Sequence, residues 1–341
     1  MKKPTISVII PMFNSELYVK ESIKSILNQT FQEFEIIVID DNSLDNSIKI
    51  VKSIKDNRIR LFKNSGKNMG SAFCRNLGIE KAKGKYIALL DSDDISLKKR
   101  LQIQYDFMEK NPNIGVCSSW YKSFGISHRV HKNPTNSEKI KIHLLFHTLL
   151  CQSASMIRLS ILKKHNIRYN ESFKRSQDFE IWNRLKNFTN FYNIPKVLLY
   201  RRTHKKQVTY LKNTFYSDKV REINRNNILK RLKILSNEQD TFSNNILFSF
   251  TEIKNKRDFK LLQKWIDFLI IKNKQVNLYS DRIFTEILYN RFWRICKTYG
   301  MIGARAFFKS TFLKRIDIDI SIRLKSFFYG FLPIKRNKHK I

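Results

Sequence analysis

Three carboxylates, Asp91, Asp93 and Asp94, fall within four positions at the end of the apolar run that starts at Tyr86, with Ser92 between the first two. Acids gathered at a strand end fit two roles. One is a divalent-cation site, because Mg²⁺ and Mn²⁺ prefer oxygen ligands and commonly bind through one or two carboxylates while a substrate's phosphates complete the shell. The other is a polar turn that caps the following helix with Asp94 or Ser96. The clustering is notable because the chain carries 65 Lys and Arg against 29 Asp and Glu, a formal net charge of +36.

Other polar groups recur after apolar runs. Pro11, Phe13 and Asn14 follow the first run, and Asp40-Asp41-Asn42-Ser43 follows the second. Asn, Asp and Ser favour strand-to-helix turns, and acids there can also accept hydrogen bonds from a nucleobase or ribose. Arg75 is either a surface helix residue or a phosphate ligand, since a guanidinium presents paired donors to such oxygens. Asp178 reads by default as a dipole-stabilising acid near a helix start, with Ser176 as its cap, and His204 as an exposed loop histidine.

The elements that must position these groups are short β-branched runs, "ISVIIP", "FEIIVID", "IRLFKN" and "YIALLD", alternating with helical patterns of about 10 to 15 residues. This order predicts βαβ units and an α/β fold with a mainly parallel sheet covered by helices on both faces. In such sheets ligands bind beyond the carboxyl ends of the strands, where the acids lie. Past Tyr210 long helical stretches take over. The expected division is therefore an α/β domain over 1–210 and a basic, mainly helical region over 211–341.

With 341 residues and 42% hydrophobic content the chain can bury a sizeable core. Cys74, Cys117, Cys151 and Cys296 are widely spaced and suggest neither a zinc knuckle nor a disulfide framework. The N-terminal "MKKPTISVIIPMFN" reads as a first strand rather than a leader, and no apolar run approaches the ~18 residues of a spanning helix. The expected setting is the cytoplasm, or the inner face of the membrane as a peripheral protein. The tail "SIRLKSFFYGFLPIKRNKHK" interleaves aromatics with cations, a pattern that fits either an anionic lipid surface or a packed core.

Taken in order, "ISVIIPMFNSELYVKESIKSILNQTFQEFEIIVIDDNSLDNS", "NMGSAFCRNLGIEKAKGKYIALLDSDD" and "QDFEIWNRL" resemble family-2 glycosyltransferases, nucleotide-sugar enzymes of the Rossmann-like GT-A fold. The resemblance spans about residues 5–210, which makes the α/β domain the catalytic one and leaves the helical region for acceptor or membrane association or an oligomer contact. It places the family's P-x-Y-N on Pro11 to Asn14, its D-D-x-S on Asp40 to Ser43, its D-x-D on Asp91-Ser92-Asp93 and its catalytic acid on Asp178. It implies that Asp41 holds the nucleobase, that Pro11, Phe13 and Glu16 border the nucleotide with Arg75 and Ser92, and that Asp93 is the principal metal ligand beside Asp91. "YRRTHKKQVT" looks like the family's Y-R-x-H loop, which would bring Arg201 and His204 over the diphosphate, with His204 counted among the metal ligands. Cys74, Lys98 and Gln177 depart from the usual Ala, Pro and Glu.

The resemblance implies an inverting glycosyltransferase that uses Mn²⁺ or Mg²⁺ and a nucleoside-diphosphate sugar, acting on a glycan or lipid-linked acceptor in lipopolysaccharide or other surface polysaccharide synthesis. A sugar-1-phosphate nucleotidyltransferase is the rival enzyme, but its Gly-rich phosphate loop is missing where "PMFNSE" stands. A nucleic-acid binder would use the positive charge but leaves the rim acids unexplained, so no nucleic-acid partner is expected.

Overall fold

The computed structural model describes residues 3–64, 66–204, 215–235, 241–249, 253–308 and 310. The chain opens with β1 (Ile6–Met12), α1 (Val19–Leu27), β2 (Phe34–Asp40), α2 (Ser47–Ser53), β3 (Ile59–Lys63), α3 (Ser71–Lys81) and β4 (Tyr86–Leu89). These strands pair in parallel, β2 with β1 and β3, and β1 with β4. Their register explains the uninterrupted apolar runs. Ile6, Val8, Ile10, Ile36 and Val38 pack on one face with Val19, Ile23 and Ile26 of α1, while Ile9, Ile37, Ile39 and Ile87 serve the other face. Successive side chains of a strand point to opposite faces, so a sheet covered twice needs apolar residues at every position.

Close packing on the second face depends on Gly78 of α3, where an added Cβ would lie 2.5 Å from Ile9 Cγ2. Pro11 is tolerated in β1 because β4 pairs only as far as Ile9, so the missing N–H faces no partner strand on that side.

The second half departs from the parallel pattern. It contains β5 (Ile95–Ser96), α4 (Arg100–Lys110), β6 (Ile114–Gly125), β7 (Val130–His131), α5 (Ser137–His143), a 3₁₀ turn (Gln152–Ala154), β8 (Met156–Arg158), α6 (Leu159–Lys164), α7 (Gln177–Leu185) and β9 (Asn190–Thr203). The sheet runs β3-β2-β1-β4-β8-β6-β9-β5, with β7 beside β6. β8 is antiparallel to both neighbours and β9 is parallel to β6. Midway, β9 passes from Ile194 opposite Ser119 to Val197 opposite Trp120, so Pro195 and Lys196 form a bulge. Both are exposed, and a residue without an N–H suits a position outside the ladder.

The chain divides into two compact units, Met1–Val220 and Arg221–Ile341, the break falling inside α8 (Phe215–Arg231). The second unit continues with α9 (Thr241–Ser249), α10 (Lys256–Val276), α11 (Asp281–Thr298) and α12 (Gly300–Phe308). Asn255 caps α10 by accepting from the backbone of Arg257 and Asp258, and Asp258 returns the bond to the Asn255 N–H. Phe307 is buried against Trp293 and Phe292, at ring separations of 4.7 and 6.2 Å. The tail aromatics Phe327, Phe328, Tyr329 and Phe331 lie outside the described residues. Among the described residues no helix is long and apolar enough to cross a membrane.

Candidate active site

The turns after β1, β2 and β4 leave the sheet at one rim, as parallel pairing requires. The turn after β4 is tied down from three sides. The Asp91 N–H donates to Ser153 Oγ at 2.9 Å, Ser92 Oγ lies 2.8 Å from Ser15 Oγ, and buried Asp94 accepts the Arg202 N–H at 2.9 Å. Asp94 therefore does not cap the next helix, and neither does Ser96. That helix, α4, begins at Arg100 behind Lys99.

The long strand β9 delivers the cations. His204 Nε2 is 3.1 Å from Asp93 Oδ2, and its ring lies 5.1 Å from that of Tyr18. Arg202 donates through Nε to the Asp93 carbonyl at 2.9 Å, pairs with Glu21, and sits between the rings of Tyr18 and Phe124 at 4.6 and 4.4 Å. Arg201 lies over Tyr121 at 6.0 Å; burial works against its charge, and Cys151 and Tyr121, followed by Asp94 and Asp91, raise its basicity nonetheless. The R-x-H spacing fits Arg202-Thr203-His204, so the arginine against the aspartate turn is Arg202, which the sequence reading passed over for Arg201.

Of the three expected metal donors, Asp93 and His204 converge, whereas Asp91 gives Oδ1 to Arg75 in a 2.7 Å ion pair. Among the described residues no group of three His, Cys, Asp or Glu side chains gathers as a ready-made cage. One carboxylate and one imidazole fit a cation that draws its remaining ligands from a diphosphate, as Mg²⁺ and Mn²⁺ do.

Arg75 is buried, 6% exposed, in α3. Besides Asp91 it donates through Nη1 to Gln177 Oε1 at 2.9 Å, and its guanidinium lies 5.7 Å from the centre of the Tyr169 ring. Burial disfavours its charge, and Asp91, Tyr169 and Asp178 together more than restore it. Its sequence neighbour Asn76 clamps the backbone at Tyr169, accepting its N–H and donating to its carbonyl.

Asp178 follows Gln177 in the first turn of α7. Ser176 precedes the helix in a left-handed conformation, φ 54°, and makes no side-chain cap bond, so it is not the cap expected from the sequence. Burial raises the Asp178 carboxyl above the usual range. The Phe179 N–H, Arg75 and Arg201 pull it back, and Asp91 pushes it further up.

The turn after β2 is closed by the protein itself. Asp40 accepts the Ser43 N–H, and Asp41 accepts from Asn64 Nδ2, the Met69 N–H and the Gly70 N–H at 3.0, 2.9 and 2.7 Å. Glu16 Oε2 accepts from the backbone N–H and from Nδ2 of Asn46, at 3.0 Å each. Phe13 is 44% exposed and Pro11 half-buried beside it, an apolar lip on the same rim. Gln152, Tyr169, Tyr18, Ser15 and Arg202 belong to this site and were not foreseen. Only the R-x-H spacing signalled one of them.

The family model for Glycosyl transferase family 2 matches residues 7–166. An uncharacterised glycosyltransferase of Methanocaldococcus jannaschii is 36% identical over 228 residues, covering 62% of this chain and 78% of its own. Another, from Haemophilus influenzae, is 29% identical over 242 residues, covering 66% and 73%. Among solved structures, residues 1–349 of S. aureus TarS in complex with UDP-GlcNAc share 20% identity and superpose with a TM-score of 0.58 over 89% of this chain and 88% of that one. The fold is GT-A, and the chain belongs to glycosyltransferase family 2.

Proposed function

We propose that this glycosyltransferase is an inverting, metal-dependent enzyme that moves a hexosyl group from a nucleoside-diphosphate sugar to a hydroxyl of a glycan or lipid-linked acceptor. The observation that carries this reading is the position of half-buried Asp178 directly after Gln177, which Arg75 joins to Asp91 on the turn that also holds Asp93, with His204 against it. Asp178 accepts the acceptor's proton as the hydroxyl oxygen attacks the anomeric carbon from the face opposite the diphosphate. The bond from that carbon to the diphosphate oxygen breaks, and its electron pair leaves with the nucleoside diphosphate. Arg201 and Arg202 place positive charge beside the turn that would receive the leaving group. Asp93 and His204, with Asp91 next to them, would hold a Mn²⁺ or Mg²⁺ ion, which when bound supplies Lewis-acid stabilisation of that charge. One base suffices, unlike the paired carboxylates of glycosidases.

Asp41, Pro11, Phe13, Glu16 and Ser92 border the nucleotide in this reading. Asp41 Oδ2 accepts the Gly70 N–H, which leaves it a lone pair for a base N–H. The basic C-terminal region, from about residue 211, serves the acceptor or the inner membrane face, in keeping with surface polysaccharide or lipopolysaccharide synthesis in the cytoplasm. The test is to incubate purified protein and Mn²⁺ with a panel of nucleotide sugars and identify the released product. Free nucleoside diphosphate and an inverted anomeric centre are expected. Pyrophosphate, or retained configuration, overturns the reading.

A further inference from the structure

An arginine has five N–H donors in a rigid plane, and Arg75 commits that plane to three separate loops. Nη2 pairs with Asp91 Oδ1 at 2.7 Å, on the turn after β4. Nη1 reaches Gln177 Oε1 at 2.9 Å, at the start of α7. The third loop is the 3₁₀ turn, where Gln152 faces the guanidinium. A guanidinium only donates, so the Gln152 amide must turn its oxygen toward Arg75, and it then accepts from Nε at 3.1 Å and from Nη1 at 3.2 Å. The same logic fixes Gln177: its oxygen is shared by Arg75 and Ser71 Oγ, the latter at 2.8 Å. The 3₁₀ turn also holds the aspartate turn directly, through Ser153 and the Asp91 N–H.

A surface phosphate ligand would keep its donors for substrate. Arg75 instead spends them on the protein, deep in the domain. Among the described residues, the hydrogen-bonded link between Asp91 and Gln177 runs through this guanidinium. We infer that Arg75 is a positioning residue that ties the donor-receiving turn to the helix start carrying the base, so that occupancy of the turn at Asp91 sets Asp178 for the acceptor. The inference rests on the reading of Asp178 as base and of the Asp91 turn as the donor site. It also accounts for Gln177. A neutral amide accepts the bridge without a second carboxylate beside Arg75, which leaves the guanidinium's field to Asp91 and Asp178.

Two measurements test it. In the first, unfolding midpoints are taken for Asp91→Ala, Gln177→Met and the double variant. Because both act on one bridge, the double variant should lose no more than the worse single variant, and the shifts should become additive when Arg75→Met is also present. Additive shifts with Arg75 intact overturn the proposal. The second is hydrogen exchange at residues 177–180 with and without UDP and Mn²⁺. The ligands should slow exchange there in the native protein and have no effect there in Arg75→Lys, which keeps the buried charge and the fold but cannot fork between two loops. A slowing that persists in Arg75→Lys overturns the coupling. If UDP and Mn²⁺ slow exchange nowhere in the native protein, the donor reading fails, and the midpoint cycle still decides whether the bridge exists.

Discussion

The turns after β2 and β4 both begin with aspartates at the carboxyl end of a parallel strand, yet Asp40 and Asp41 are 0% and 3% exposed whereas the side chains of Asp91 and Asp93 are 41% and 23% exposed. Their partners differ in kind. Asp40 accepts the Ser43 N–H of its own turn, and Asp41 accepts the Asn64 amide and the Met69 and Gly70 N–H groups, all of them neutral donors. Asp91 and Asp93 face Arg75 and His204. A carboxylate closed by neutral donors shapes a loop. One that faces ionisable partners at a solvent-reached rim can exchange them for a metal or respond to an arriving phosphate. Identical residues at equivalent positions of the topology thus divide, according to what donates to them, into a pair that shapes its loop, Asp41 keeping one lone pair toward the rim, and a pair whose charged partners can be exchanged.

The sharpest test of this division lies in an acid that belongs to neither turn. Asp178→Asn keeps the shape of the side chain but cannot take a proton, so turnover should fall about 10³-fold while nucleoside-diphosphate affinity, read by calorimetry, is unchanged. Near-native turnover would remove the base from Asp178, and Glu180 is a poor substitute because Arg184 holds it at 2.7 Å. The pH profile sharpens the point. With Asp178 as the proposed base, activity needs its ionised carboxylate, and burial raises its pKa, so the acid limb of kcat should lie above the ordinary aspartate range. Activity should be lost as pH falls through that limb, and a limb at or below the ordinary range would contradict the burial.

Next in size is the scaffold side. Asp41→Ala strands the Met69 and Gly70 N–H groups and the Asn64 amide, at a cost of about 3 kcal/mol in unfolding free energy measured with urea. Asp93→Ala should do the reverse. The unfolding curve stays in place while the Mn²⁺-dependent part of nucleoside-diphosphate affinity drops about 30-fold. If Asp93→Ala costs as much stability as Asp41→Ala, the two turns are not different in kind. The smallest effect is expected from Ser92→Ala, which removes only the bond to Ser15 and should lower stability by about 1 kcal/mol without touching metal dependence.

The parallel half of the sheet was legible because runs such as Phe34–Asp40 are apolar at every position, a pattern that a doubly covered strand produces directly. The rim acids were legible for the same reason, since their place follows from where the strands end. The antiparallel insertion of β8 was not, because a strand of only three residues, Met156–Arg158, offers too little pattern. Nor was the commitment of Arg75. Gln177 lies 102 residues away in sequence, and nothing local marks a glutamine as the partner of a distant arginine. Ser176 has the right residue type for a cap, but its left-handed backbone keeps the hydroxyl from the role.

The bulge at Pro195 and Lys196 also governs which length changes this family member can survive. A sheet's side chains alternate with period two, so one residue inserted between Leu199 and Arg202 would exchange the faces of Arg201 and Arg202 and send away the guanidinium that now meets the Asp93 carbonyl. The same insertion beside Pro195 enters a stretch already out of the ladder and exposed to solvent, where the extra residue enlarges the loop and the downstream register on β6 is kept. Related sequences should therefore vary in length before Val197 and hold their spacing from Leu199 to His204, with the bulge acting as the expansion joint that uncouples drift in the core half of β9 from the end that meets the aspartate turn.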